Sequence, residues 1–186
     1  MAFFQIPFTN QSQVETNWCW AAVAANVYNA VKPAAAAALA PCDVAGRVWG
    51  GIASLPPAPL PQGGPCQHPD LNNSTGTLRS ALDNLGITDG NQGTAKLATA
   101  TTELSEALPS GNESVCAEVD FPNGATHFIA LSAVDTDQQH LWIEDPELGP
   151  GNTVEFTYQD FLFNYNFSTD PALAKIVVGF QKVERH

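Results

Sequence analysis

Basic residues are what this chain has least of. Seven Lys and Arg stand against 19 Asp and Glu, a formal net charge of −12 over 186 residues. Nucleic acid and anionic membrane surfaces both call for a cationic face, because charge neutralisation carries most of their affinity. Neither is expected as a partner. No segment is long and apolar enough to span a membrane. The start, Met1-Ala2-Phe3-Phe4-Gln5-Ile6-Pro7, lacks a basic region and a long apolar stretch, so it does not read as a signal peptide. Gly-x-Ser-x-Gly, a phosphate-binding glycine loop and His-Glu-x-x-His are missing too, which removes three common routes to hydrolytic or nucleotide chemistry. The four cysteines, Cys19, Cys42, Cys66 and Cys116, form no Cys-x-x-Cys pair, so a zinc knuckle is not expected. Neither a metal nor a cofactor is called for.

A hydrophobic content of 44% is enough for a sizeable core, and 186 residues suit one domain over 1–186. Asn17 is a good cap for a helix over Trp18 to Val31, whose Trp20, Val23, Val27 and Val31 share a face. Pro33 ends it. Ala34 to Ala40 is helix-permissive, and Asp43 to Trp49 suits a short helix. Gly50 to Pro69, dominated by Pro and Gly, reads as loop. Thr75 to Leu85, closed by Gly86, and Thr101 to Leu108, closed by Pro109, read as helices. Strand-like runs follow at Val115 to Phe121, His127 to Val134, Leu141 to Glu144, Thr153 to Phe156 and Lys175 to Val183, with a short helix over Tyr158 to Tyr165. Helices first and strands last make an α+β arrangement, a helical half to about residue 110 and a sheet half after it.

The stretch Gln13-Val14-Glu15-Thr16-Asn17-Trp18-Cys19-Trp20-Ala21-Ala22 places a cysteine in the first turn of a helix, six residues after a glutamine. Unsatisfied N–H groups and the dipole at a helix N-terminus favour a thiolate, the reactive form of cysteine. Alone, Cys19 would be read as a small core residue, since free cysteine is among the most buried types. His127 heads an apolar run, whereas His140 reads as a turn residue, His68 lies in the Pro-rich loop and His186 is terminal. Asp145 precedes Pro146, where it would start a turn. Its rival is Glu144, and strand alternation points the two to opposite faces.

Together these residues resemble the papain-like cysteine peptidases, whose signature places Cys-[Trp/Tyr] near the mature N-terminus and His and Asn or Asp far downstream. The resemblance is nearest to compact bacterial members, such as secreted effector proteases and peptidases related to bacteriocin processing. Cys19-Trp20-Ala21-Ala22, His127 at a strand head and Asp145-Pro146 after the next strand carry it. Trp18 replaces a Ser or Ala of papain, Thr16 or Asn17 replaces its glycine, and Pro146 stands where plant enzymes have a shielding Trp. The resemblance implies a nucleophile helix packed on an antiparallel sheet. Cys19 would be the nucleophile, His127 the base, Asp145 the residue that orients it and Gln13 an oxyanion donor. It implies a protein or peptide substrate, no cofactor, a monomer, and an inhibitor or immunity protein as a further partner. It also implies secretion or delivery to a target cell. The bacterial relatives often carry cysteines in places like Cys42 and Cys66, and both lie in the Pro- and Gly-rich middle. A bridge between them is one reading and two free thiols the other. Cys116, in a strand, reads as a buried core residue.

Three functions compete on these residues. The first is peptide-bond hydrolysis through an acyl-thioester. The second is the same triad used for deamidation or another acyl transfer. The third is a catalytically silent papain-like binding module.

Overall fold

Cys-Trp-Ala-Ala-Val-Ala-Ala-Asn-Val-Tyr-Asn-Ala-Val forms helix α1, Cys19–Val31, in a computed structural model that describes residues 3–6, 8–32, 35–51, 66, 75–87, 113–120, 125–164 and 176–184. The helix starts one residue later than Asn17 as a cap would set it. Trp18 holds the N-cap position and makes no capping bond with its side chain. An indole has a donor and no acceptor, so it cannot cap. Packing fixes the start instead: Trp18 is fully buried and meets Trp49 edge-on, ring centroids 5.8 Å apart. At the other end Lys32 is extended, at ψ 153°, as the residue before a proline is driven to be. Burial extends beyond the single face of Trp20, Val23, Val27 and Val31. Every residue from Cys19 to Val27 is buried, because α1 lies between two further helices and the sheet. Its alanines let those neighbours approach on all sides.

Those helices are α2, Pro41–Gly51, and α3, Leu78–Leu85. Pro41 suits a first helical position, and Asp43 returns a bond to the Ala40 N–H, half of a capping box. Thr77 caps α3 by accepting from the Ser80 N–H, and Gly86 closes it in the left-handed conformation at φ 68°. Gly76 lies against the Trp20 ring, where an added Cβ would come within 2.5 Å of it. A disulfide joins Cys42 of α2 to Cys66. Cys116 is buried, and burial pushes its thiol pKa up.

Residues 35–40 are turn and irregular chain rather than helix. Side chains have captured their backbone. Asn29 donates to the Leu39 carbonyl and accepts from the Leu39 N–H, and Gln11 donates to the same carbonyl. A helical Leu39 would give its N–H to the carbonyl four residues back and lose the bond to Asn29. The loop expected over Gly50 to Pro69, apart from residues 50, 51 and 66, and the helix expected over Thr101 to Leu108 lie outside the described residues.

The sheet is antiparallel and, among the described residues, has six strands: β1 Phe3–Gln5, β2 Glu113–Asp120, β3 Thr126–Asp135, β4 His140–Glu144, β5 Thr153–Thr157 and β6 Ile176–Glu184. Helix α4, Tyr158–Asn164, joins β5 towards β6. The order is β5-β4-β3-β2-β6, and β1 takes the edge of β3 at Ala133 to Asp135, past the end of β2. The chain start thus crosses to the sheet half. Phe128, Ala130 and Cys116 pack towards α1, while Val115, Ala117, Ile129 and Leu131 build a second core with Ile143 and Phe161 on the other face. Ser132 is an extra residue opposite β4, so Val134 rejoins the face of Leu131 despite its odd spacing. The architecture is α+β. Among the described residues no helix is long and apolar enough to cross a membrane.

Candidate active site

The register of the β3–β4 ladder brings two distant residues to one end of the sheet. Ala130 lies opposite Glu144, so the head of β3 and the exit of β4 face the same way. His127 is the second residue of β3, and Asp145 immediately follows β4. His127 Nε2 lies 3.0 Å from Asp145 Oδ1, with the two residues 5% and 1% exposed. An ionised carboxylate only accepts, so Nε2 carries the proton of this bond. Asp145 Oδ1 also accepts from the Glu147 N–H at 2.9 Å. The turn-starting role and the His-binding role of Asp145 are therefore one geometry. Glu144 points away, as alternation requires, and accepts from the Thr153 hydroxyl at 2.7 Å.

Helix α1 packs on β3 and presents Cys19, its first residue, to the same end. Cys19 lies close enough to the His127 ring to help raise its pKa. With Nε2 turned to Asp145, Nδ1 is the nitrogen left for sulfur. Burial by itself lowers the His127 pKa, but the bonds and charges of Asp145 and Cys19 outweigh it and raise the value to about 9. The ring is therefore held as imidazolium through neutral pH, between a carboxylate and a sulfur. The Cys19 N–H, in the first turn, has no carbonyl of its own helix to bond.

Comparison with protein-family models and with curated proteins gives no match. The geometry has to speak for itself.

Gln13 sits beside Asp145 in space. Its backbone N–H donates to the Pro146 carbonyl at 3.1 Å. Its side-chain oxygen is buried with no hydrogen-bond partner among the described residues. A buried unpaired amide oxygen costs about 1–3 kcal/mol, so this amide is not there to complete an internal network. His140 lies at the far end of the ladder and pairs with Glu155. His68 and His186 are outside the described residues.

Two residues of this region carried no weight in the sequence reading. Asn10 and Asn26 are buried, bond to one another at 2.9 Å, and Asn10 donates to the Asp145 carbonyl at 2.9 Å. The available signal was Asn26 itself, an amide seven residues after Cys19 in an otherwise apolar stretch of helix. The group Cys42, Asp43 and Cys66 brings metal-ligating atoms together, but both sulfurs are committed to the disulfide and offer no thiolate.

Proposed function

We propose that this chain is a papain-like cysteine peptidase that cleaves peptide bonds with Cys19, His127 and Asp145. The observation that carries the reading is the buried His127–Asp145 hydrogen bond, with Cys19 near enough to act on the same ring. The sulfur attacks the substrate carbonyl carbon, and the carbonyl π pair moves to oxygen. The Cys19 N–H and the Gln13 amide donate to that oxyanion, and a donor of this kind lowers a barrier by about 3 kcal/mol. Collapse expels the amine, which takes the proton from His127 Nδ1 and leaves an acyl-thioester. Water then loses a proton to His127, attacks the thioester and releases Cys19. Asp145 keeps Nε2 protonated throughout, so Nδ1 alone exchanges protons.

A silent binding module has no use for this arrangement. A buried ionised pair costs desolvation that an apolar pair of similar size does not. Deamidation or acyl transfer would use the same first half-reaction and differ in the acceptor. The Cys42–Cys66 bridge supports a life in an oxidising compartment, hence secretion or delivery outside the cell. The substrate on this reading is a protein or peptide, and an inhibitor or immunity protein would bind over the same residues.

The test is peptide-library turnover by the wild-type chain and by Cys19→Ala, with iodoacetamide or E-64 labelling located by mass spectrometry. Turnover lost only in the variant, with the adduct on Cys19 rather than Cys116, supports the reading. A folded Cys19→Ala protein that still cleaves peptides overturns it.

A further inference from the structure

We infer that the buried amide pair Asn10–Asn26 is a positioning device for the active site. It clamps the main chain of Asp145 to helix α1 and so sets the Asp145–His127 line with respect to Cys19. The inference rests on the catalytic reading of those three residues.

The nucleophile and its partners belong to different parts of the fold. Cys19 rides on α1, while His127 and Asp145 ride on the β3–β4 ladder. Something must fix one against the other to a fraction of an ångström. Asn26 follows Cys19 by seven residues on α1, so the two leave the helix about 20° apart in direction and about 10 Å apart along its axis. Its amide nitrogen donates to Asn10 Oδ1 at 2.9 Å and to the Gln11 carbonyl at 3.3 Å, and its oxygen accepts from the Gln11 N–H at 2.9 Å. Asn10 in turn donates to the carbonyls of Asp145 at 2.9 Å and Gly149 at 3.0 Å.

Both amide nitrogens use both protons, and both amide oxygens accept. Turning either group over would set N–H against N–H or carbonyl against carbonyl, so the pair has one orientation. The chain of bonds starts on the helix that carries Cys19 and ends on the main chain of Asp145. Two further contacts run alongside. Gln13 N–H bonds the Pro146 carbonyl, and Gly149, at φ 79°, leaves room for Ser12, whose hydroxyl a Cβ there would approach to 3.1 Å. Residues 10–13 and 145–149 are thus laid together, and Asn10 is their link to α1.

The test compares wild type, Asn10→Ala and Asn10→Ser, the last keeping a small hydroxyl that cannot bridge two carbonyls. Two readouts are used: kcat and KM for a cleaved peptide, and the His127 ring titration followed by NMR. Positioning requires kcat to fall about 10- to 100-fold with KM changed less than about 2-fold, because a misplacement near 1 Å costs about that much. It also requires the His127 midpoint to drop from about 9 towards its ordinary value of 6.5, as Asp145 loosens. A purely structural role lowers the melting temperature and moves neither readout in the folded protein. Either variant, folded and with the wild-type His127 midpoint, overturns the inference. Should the wild-type chain cleave no peptide, the peptidase reading fails by itself, while the titration still decides whether Asn10 holds the Asp145–His127 pair.

Discussion

The β3–β4 ladder has a histidine–carboxylate pair at each end, and the two have different surroundings. At one end His127 and Asp145 have side chains 6% and 1% exposed; at the other, His140 and Glu155 are 30% and 51% exposed. The chemical groups are nearly the same. The exposed pair exchanges easily with water, and pairs of its kind contribute about 0.2–1 kcal/mol. The buried pair cannot be replaced by water without cost, and Cys19 acts on the same ring. Burial turns a contact into a commitment: without water to replace either partner, the ring keeps its bond to Asp145. What separates a surface pair from a candidate catalytic pair here is the helix that covers one end of the ladder and leaves the other open.

The largest expected break in that comparison is at the buried end. Cys19→Ala and His127→Ala should each lower peptide turnover about 10⁵-fold or more, and the double variant should be little worse, because members of one catalytic unit do not add. Steady-state assays on the three proteins check this; substantial further loss in the double variant would mean independent roles.

Asp145→Asn should come next, with a loss of about 10³-fold. It should also reshape the pH response. The His127 pKa is raised from 6.5 to about 9, so folding takes up a proton between those values. The stability this contributes is complete below about pH 6.5 and is lost as pH rises through about 9. Urea denaturation of the wild type at pH 6 and pH 10 should show that decline, and Asp145→Asn should flatten it. An unchanged slope in the variant would remove Asp145 as the cause.

Gln13→Ala should cost about 10²-fold in kcat and leave iodoacetamide alkylation of Cys19 nearly unchanged, since alkylation forms no tetrahedral oxyanion. Equal losses in both would make Gln13 a support for the thiol and its surroundings. The smallest effect belongs to the open end. His140→Ala and Glu155→Gln should each change turnover less than about 2-fold and stability by less than about 1 kcal/mol. Inactivation by either would reverse the comparison.

Much of this geometry is visible in the chain because it depends on local signals. A cysteine opening an Ala-rich helix, a histidine heading an apolar strand and an aspartate ending the next one are placed by secondary structure alone. That His127 and Asp145 act together comes from the family resemblance; the β3–β4 register that joins them, with Ser132 as an extra residue, is not written in any local window. Alternation alone separates Asp145 from Glu144. Other features are fixed by contacts that no local window contains. Asn10 meets Asp145 across 135 residues of sequence. Leu39 is kept out of a helix by Gln11 and Asn29, and Trp18 holds the N-cap of α1 because Trp49 packs on it. Phe3–Gln5 becomes a strand only because β2 stops short along β3. Each is a side chain or edge satisfied by a distant partner, and propensity carries no trace of it.

The most direct measurement is the NMR titration of the His127 ring in the wild type and in Cys19→Ala. A charged partner of Cys19 and Asp145 should titrate near 9 in the wild type and clearly lower once the sulfur is removed. A wild-type midpoint at or below 6.5, or one that Cys19→Ala leaves in place, would contradict the buried Cys19–His127–Asp145 line as a working unit.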